Sequence, residues 1–522
     1  MSAYRTLLQE RVPLGGPLLH RKKFLLPVRP LSERDTLSAR SGKGCYTEGG
    51  AVQPLSNGSY SLFVTESALS MARWDGLLPY RSPETEKADC RGVECFLELD
   101  GERFSLLPCS ESVGRFRWEF SGKEAVWEGE RGGLHWSLRL SVSESDSAER
   151  RLLTLRGIPE HCSAAVYWGF EPALCTAEEL RAERSFSRLG LRAENDKDGF
   201  LITRLPRNGR GELYLACSTQ PEAKLCADRF VFPKRSRNGV FAPAMLWQSA
   251  PFCTLRQELR VQGGCAEASL SIAVGRERAR TLREAAHTLR TRDCADMADS
   301  AARLLGMDGT DVRAALTLLP RLLFPHLCQE AEGLKADSRQ SALWPWGISG
   351  DLPIAVMPLH EGSLRAAAMA VKHHALLSCC ALRYDLVFLT EGGGAYRPAP
   401  RLALEELLRR LGQEGRIGQK GGCHFCDGEA APVILNNAAV ALDEGGKISP
   451  ETKTVEAEPF RIPEVLAPLR EGRYASSIES WGEDGEYLLT LRGLLPVRSR
   501  CHMLANPDFG ALFRECGCVG LV

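Results

Sequence analysis

Residues 343–354 read Leu-Trp-Pro-Trp-Gly-Ile-Ser-Gly-Asp-Leu-Pro-Ile. The stretch packs two tryptophans, two glycines, two prolines and one acid into a dozen residues. Glycine frees the backbone while proline fixes φ and removes a donor, so the mixture suits a rigid turn with aromatic anchors, a packed corner between larger units. Ser349 or Asp351 is placed to cap a helix-like run after it. Asp351 is also the candidate for proton transfer, with Asp385 and Glu391 next. Acid–base catalysis needs one carboxylic acid to protonate a leaving oxygen and a nucleophile or activated water on the other side. The chain has 66 aspartates and glutamates, yet no motif fixes two of them as a pair. It carries no Gly-x-Ser-x-Gly elbow and no His-Glu-x-x-His pair.

Nineteen cysteines are scattered along the chain. Cys423-His424-Phe425-Cys426 has metal-ligand spacing and Cys516-Gly517-Cys518 is tighter. A structural zinc site needs a second ligand pair, and no second C-x-x-C exists. His373 and His374 are adjacent and would diverge on a helix. Plain thiols are expected, with no metal. Gly392-Gly393-Gly394 follows a strand-like run but opens no helix and lacks Gly-Lys-Ser/Thr, so no phosphate-cradling loop and no cofactor are expected.

The elements that must position these groups fall into a series. Of 522 residues 44% are apolar and 25% charged, ordinary for globular protein of two to four units. Basic and acidic residues balance at 66 each, which gives no electrostatic reason to expect nucleic acid. No signal-type core and no membrane-span-length apolar run is seen, so a cytoplasmic chain is expected. Residues 1–50 read as a connecting arm rich in proline, with a frayed helix over 3–11. Residues 51–275 alternate in short β runs, including 59–65, 94–99, 115–120, 134–142, 151–156 and 164–170. Gly101-Glu102 and Gly132-Gly133 sit where hairpins turn. Ten or more strands without long helices argue for a sandwich. Most of its tryptophans (Trp118, Trp127, Trp136, Trp168) suit core filling. Residues 276–335 read as a helical linker, with Asp308-Gly309-Thr310-Asp311 capping a helix over 312–323. Residues 336–455 read as a small α/β unit: helix 364–382, strand 385–390, helix 402–411, strand 422–426 and helix 433–442. From 456 to 522 the β pattern returns as the start of a second, truncated sandwich.

Five phrases in this order resemble cyclic β-1,2-glucan synthases and the phosphorylases of glycoside hydrolase family 94: "LLQERVP" at 7–13, "LSNGSYSLFVT" at 55–65 with Arg73-Trp74, "LWPWGISGDLPIAV" at 343–356, "DLVFLTE" at 385–391 and "LANPDFG" at 504–510. The resemblance implies a β-supersandwich of galactose mutarotase type, a helical linker and an α/β region, without the family's catalytic (α/α)₆ barrels. It implies a β-1,2-glucan or oligosaccharide ligand, carbohydrate contact by Asn57, Arg73 and Trp74, and a catalytic-domain partner chain. Where the family has a glycine-rich run before Arg-Trp, this chain has Glu66-Ser67-Ala68-Leu69-Ser70-Met71-Ala72. The expected function is a non-catalytic or fragmentary part of a glucan-processing glycosyltransferase or phosphorylase. A self-sufficient phosphorylase or transglycosylase with divergent acids and a stand-alone carbohydrate-binding protein are the alternatives.

Overall fold

The structure is a computed structural model. It describes residues 37–43, 50–82, 92–108, 116–182, 190–196, 199–205, 210–226, 252–324, 339–390, 399–449 and five short strands between 477 and 521. In chain order the strands of its first part are β1 Arg40–Lys43, β2 Val52–Ser56, β3 Tyr60–Thr65, β4 Ser70–Trp74, β5 Leu78–Tyr80, β6 Glu94–Leu99, β7 Glu102–Ser105, β8 Arg117–Phe120, β9 Glu124–Arg131, β10 Leu134–Val142, β11 Ala148–Arg156, β12 Ala164–Phe170, β13 Pro172–Cys175, β14 Leu191–Asp196, β15 Gly199–Arg204, β16 Leu213–Gln220, β17 Ala223–Cys226, β18 Cys253–Glu258 and β19 Cys265–Gly275. Nine of them form one antiparallel sheet in the order β1-β8-β9-β10-β11-β19-β16-β15-β14. Smaller sheets, β17-β18-β12-β6-β7, β2-β3-β4 and β13-β5, complete the sandwich.

Side-chain alternation decides which face is core. On β10 and β11, Leu138, Leu140, Leu153 and Leu155 point inward, while Arg139 and Leu152 point outward and stand opposite one another. Trp118, Trp127, Trp136 and Trp168 are all buried. The indole N–H groups of Trp127 and Trp136 donate to the carbonyls of Glu66 and Leu106, both at 3.0 Å. Gly132 and Gly133 turn the β9–β10 hairpin with φ of 55° and 85°, as a tight two-residue hairpin requires. The other expected turn shifts by one residue: Asp100 (φ 47°) and Gly101 (φ 86°) are the left-handed pair, and Glu102 already belongs to β7. Residues 40–43, inside the stretch read as an arm, form β1 on the sheet edge. The Asp299 carboxylate fixes their approach by accepting from the Leu37 and Ser38 N–H groups at 3.0 Å each.

One charged system lies wholly inside the sandwich. Glu149 and Arg151, two apart on β11 and so on the same face, are ion-paired at 2.8 Å and essentially sealed from solvent. The other carboxylate oxygen accepts from the hydroxyls of Tyr60 (2.8 Å) and Tyr80 (2.9 Å), and Arg151 also donates to Ser70 Oγ at 3.1 Å. Burial and then Glu149 push both phenols well above their ordinary pKa.

Helices follow. α1 Ala177–Ala182 is short; α2 is Arg278–Arg290, α3 Met297–Leu304, α4 Gly309–Leu316 and α5 Leu319–Leu323. Asp308 caps α4, accepting from the N–H groups of Thr310 (2.7 Å) and Asp311 (2.9 Å), with Asp311 reaching back to the Asp308 N–H. The single helix expected over 312–323 is instead two. Pro320 lacks a backbone donor, so the ladder breaks and α5 restarts with proline in its first turn.

Four parallel strands in the order β22-β21-β20-β23 form the α/β sheet: β20 Ile354–Leu359, β21 Asp385–Thr390, β22 Cys423–Asp427 and β23 Val440–Ala441. Its helices are α6 Leu364–Cys379, α7 Ala399–Arg410 and α8 Ala431–Asn437. The helix-like run expected after Asp351 is strand β20, whose Ile354 pairs with Asp385. The helix expected over 433–442 stops at Asn437, because the Ala439 N–H donates to the Ile354 carbonyl at 2.8 Å and draws the chain into the sheet. The remaining strands are antiparallel: β24 Ser477–Trp481 with β25 Tyr487–Leu491, and β26 Cys501–Ala505, β27 Gly510–Arg514 and β28 Val519–Leu521. The motifs at 7–13, 392–394 and 516–518, and Glu391, lie outside the described residues.

The sheet β2-β3-β4 has apolar side chains on both faces. Leu55, Leu62, Val64 and Ala72 enter the sandwich core. Val52, Phe63 and Met71 enter a second core, built from α3 to α7 and the α/β sheet.

Candidate functional site

The segment around Asp351 is a 3-10 helix, Gln340–Trp346, closed by Gly347 at φ 71°. A 3-10 helix repeats every three residues, so Leu343 and Trp346 share a face. That face packs on Ile348, Ile354, Val356, Val387, Cys426 and Ile434. Trp344 lies off it and is 63% exposed, the most exposed of the large apolar side chains among the described residues. Asp351 Oδ2 pairs with Lys420 Nζ at 2.6 Å, and Oδ1 accepts from Gln340 Nε2 at 2.6 Å. Lys420 also reaches Glu178 of α1 at 3.5 Å, which ties this turn to the sandwich. The Lys420 hydrogen bond holds the Asp351 carboxyl below the usual carboxylate range. Asp351 is therefore an ionised carboxylate engaged on both oxygens. A general acid needs the opposite shift.

Asp385 opens β21 and is sealed from solvent. Its Oδ1 accepts from the Gly421 N–H at 2.6 Å and lies 3.3 Å from His424 Nε2, while Oδ2 has no partner among the described residues. His374 lies beside it, donating from Nε2 to the Tyr384 carbonyl at 3.0 Å, with its ring edge-on to Tyr384. Burial lowers the pKa of both His373 and His374 to about 4, so both imidazoles are neutral at pH 7. The C-x-x-C spacing falls on β22, where alternation sends Cys423 into one core and Cys426 into the other. Burial pushes these thiols up to about 12 and about 11. Two sulfurs on opposite faces of a strand cannot share a metal ion.

Arg73 and Trp74 lie on β4, paired to Ser61 and Tyr60 of β3, while Asn57 lies in the turn between β2 and β3. Asn57 is spent at both ends. Its Nδ2 donates to the Ser143 and Asp146 carbonyls at 2.8 Å each, and its Oδ1 accepts from the N–H groups of Ser59 and Tyr60 at 3.0 and 2.8 Å. Arg73 is half-buried. Trp74 is 9% exposed and belongs to the sandwich core, with the Arg276 guanidinium 5.5 Å from its ring centroid. In the turn before β4, Ala68 holds the left-handed conformation at φ 59°.

Sequence reasoning placed Trp344 only as an anchor. Its exposure could have been found from the three-residue period that pairs Leu343 with Trp346. Among the described residues Trp344 thus offers an open aromatic face suited to stacking, while Asp351 and Gln340 are engaged with each other and with Lys420 and Ser349.

Residues 38–291 match the family described as glycosyl hydrolase 94, supersandwich domain. Over 407 residues the chain is 25% identical to the cyclic beta-(1,2)-glucan synthase of Rhizobium meliloti (strain 1021), covering 69% of this chain and 14% of the synthase. The chain thus spans about a seventh of the length of that curated relative. Among solved structures, a bacterial glucoamylase complexed with acarbose aligns with 55% of this chain and 44% of its own at 9% identity and a TM-score of 0.30. A polysaccharide lyase aligns with 45% of this chain and 34% of its own at 8% identity and a TM-score of 0.25. Likeness at that level carries no argument, and the sequence matches are what place the chain beside this family.

Proposed function

We propose, taking the glycosyl hydrolase 94 supersandwich over residues 38–291 as premise, that the chain is a non-catalytic part of a β-1,2-glucan-processing system in the cytoplasm. It contributes carbohydrate contact and scaffolding beside a catalytic barrel on a partner chain. The units are an arm (1–50), the supersandwich (51–275), a helical linker (276–335), an α/β unit (336–455) and a second β unit (456–522). The alignment with a glucan synthase carries the choice of ligand. The carboxylates support the absence of catalysis: Asp351 is held ionised and Asp385 is closed off from any substrate. Trp344 is the side chain best placed to stack on a sugar ring. Among the described residues no helix is long and apolar enough to cross a membrane.

The test incubates the chain with β-1,2-glucooligosaccharides and phosphate, following binding and glucose 1-phosphate release together. Saturable binding without release is expected. Trp344→Ala should weaken it about tenfold, the scale of one lost stacking contact, without moving the melting temperature. Phosphate-dependent release would overturn the non-catalytic reading in favour of a self-sufficient phosphorylase. Absence of binding would remove the carbohydrate role.

A further inference from the structure

The outward face of the nine-stranded sheet is only partly covered. α2 lies across it through Leu282 and Ala285, which pack on Ala148, Leu201, Ala216 and Ala273. Next to the end of α2, the outward side chains of β9, β10 and β11 floor an open groove of about 430 Å³, walled by Arg292 and Cys294. Strand register sets the floor. Ser141 stands between Glu124 and Arg150, and Arg139 stands beside Leu152. Ser137 stands beside Thr154.

Three guanidiniums face this groove against one lining carboxylate. Glu124 binds a single terminal nitrogen of Arg139, at 2.7 and 2.8 Å, which leaves the rest of that fork unspent on it. Arg150 donates from Nη1 to the Thr291 carbonyl at 3.0 Å, and its Nε is buried with no partner among the described residues. Arg292 is exposed, and its guanidinium has no partner among the described residues. A cation at the C-terminal end of α2 explains the Arg150–Thr291 contact. It does not explain why two further guanidiniums converge there. Burial lowers the proton affinity of Arg150; Arg292 and Arg139 lower it further, with Cys294 and Glu267 opposing. A bound anion would relieve this repulsion.

We propose that the groove between the outward face of β9–β11 and residues 291–294 binds a phosphate-class oxyanion. Planar guanidinium forks match that geometry, and Ser137, Ser141 and Thr154 add hydroxyls to the floor. The volume suits a small molecule rather than a polymer. The site is independent of the neutral-glucan contact at Trp344, so either can fail alone.

The test uses the full chain at fixed ionic strength. Alkylation of Cys294, followed by mass spectrometry, is measured with inorganic phosphate, glucose 6-phosphate, glucose or added chloride, alongside calorimetric titration. Phosphate and glucose 6-phosphate should each protect Cys294, and glucose and chloride should not. The tighter of the two ligands tells whether the phosphate arrives free or on a sugar. Arg292→Gln, at an exposed position, should weaken binding about tenfold, the effect of one charge-assisted contact, while leaving the melting temperature unchanged. Equal protection by chloride, or phosphate affinity unaltered in both Arg292→Gln and Arg150→Gln, would overturn the proposal.

Discussion

Glu149 and Asp385 are both buried carboxylates, each in one of the two large cores, and they are satisfied to very different degrees. Glu149 has an arginine on one oxygen and two tyrosine hydroxyls on the other. Asp385 carries its contacts on one oxygen and leaves the second without a partner among the described residues. A buried charge is costly unless every lone pair is met. The sandwich has met that condition with residues from β3, β5 and β11, so its network fixes how three strands stack. The α/β sheet has met it in part, with a loop amide and a histidine from the neighbouring strand. The sandwich core should therefore be the more sensitive to losing a polar group and the less sensitive to pH.

Breaking the complete network should have the largest effect. Arg151→Met strands Glu149 in the core and should cost about 3–5 kcal/mol. Urea denaturation measures it, and a loss below about 1 kcal/mol would mean that water reaches Glu149. Acidification should act on the other core. From about pH 6.5 down to about 4, His373 and His374 bind protons in the unfolded chain that the folded chain refuses. Stability from these groups is thus full above that window and falls as pH drops through it. Melting curves at pH 5 and 7 should differ less in His373→Leu than in the parent, and an identical difference would assign the slope to other groups. Asp385→Asn keeps an acceptor for Gly421 and changes only the oxygen that has no partner among the described residues, so the expected loss is only about 1 kcal/mol. A loss as large as that of Arg151→Met would erase the contrast between the cores. The smallest effect is expected at Ala68→Gly. Relief of a left-handed alanine, about 1 kcal/mol, is opposed by loss of a buried methyl, about 0.8 kcal/mol. A melting temperature within about 2 °C of the parent is expected.

The strands of the sandwich were legible because period-two alternation and glycine turns are local signals. β6, β10 and β12 fall where the pattern placed them. β1 and β23 were not legible. Both are short, and each is held by a partner far away in sequence, Asp299 for the chain entering β1 and Ile354 for β23. Asn57, Arg73 and Trp74 were singled out for sugar contact, but sequence does not say which face of a tryptophan is covered, and Arg276 lies over this one. Asp351 stood out in the sequence. Its state depends on Lys420, 69 residues away, which no local pattern ties to it. The arginine groove was invisible for the same reason, since its walls meet only when β9, β10, β11 and the end of α2 are aligned.

The two-sided sheet β2-β3-β4 makes any boundary drawn along the chain different from a boundary in the folded molecule. Residues 38–291 can be cut out on paper as one inherited piece, but Phe63 and Met71 on that piece are walls of the neighbour's interior. An excised sandwich would carry a greasy scar where α3 to α5 and the α/β sheet had been, and the remainder would lack part of its floor. Recombination or gene fission at that point would have to repaint both surfaces together. The shared wall thus couples the recognisable unit to the helices after it, so that neither is complete when the other is removed.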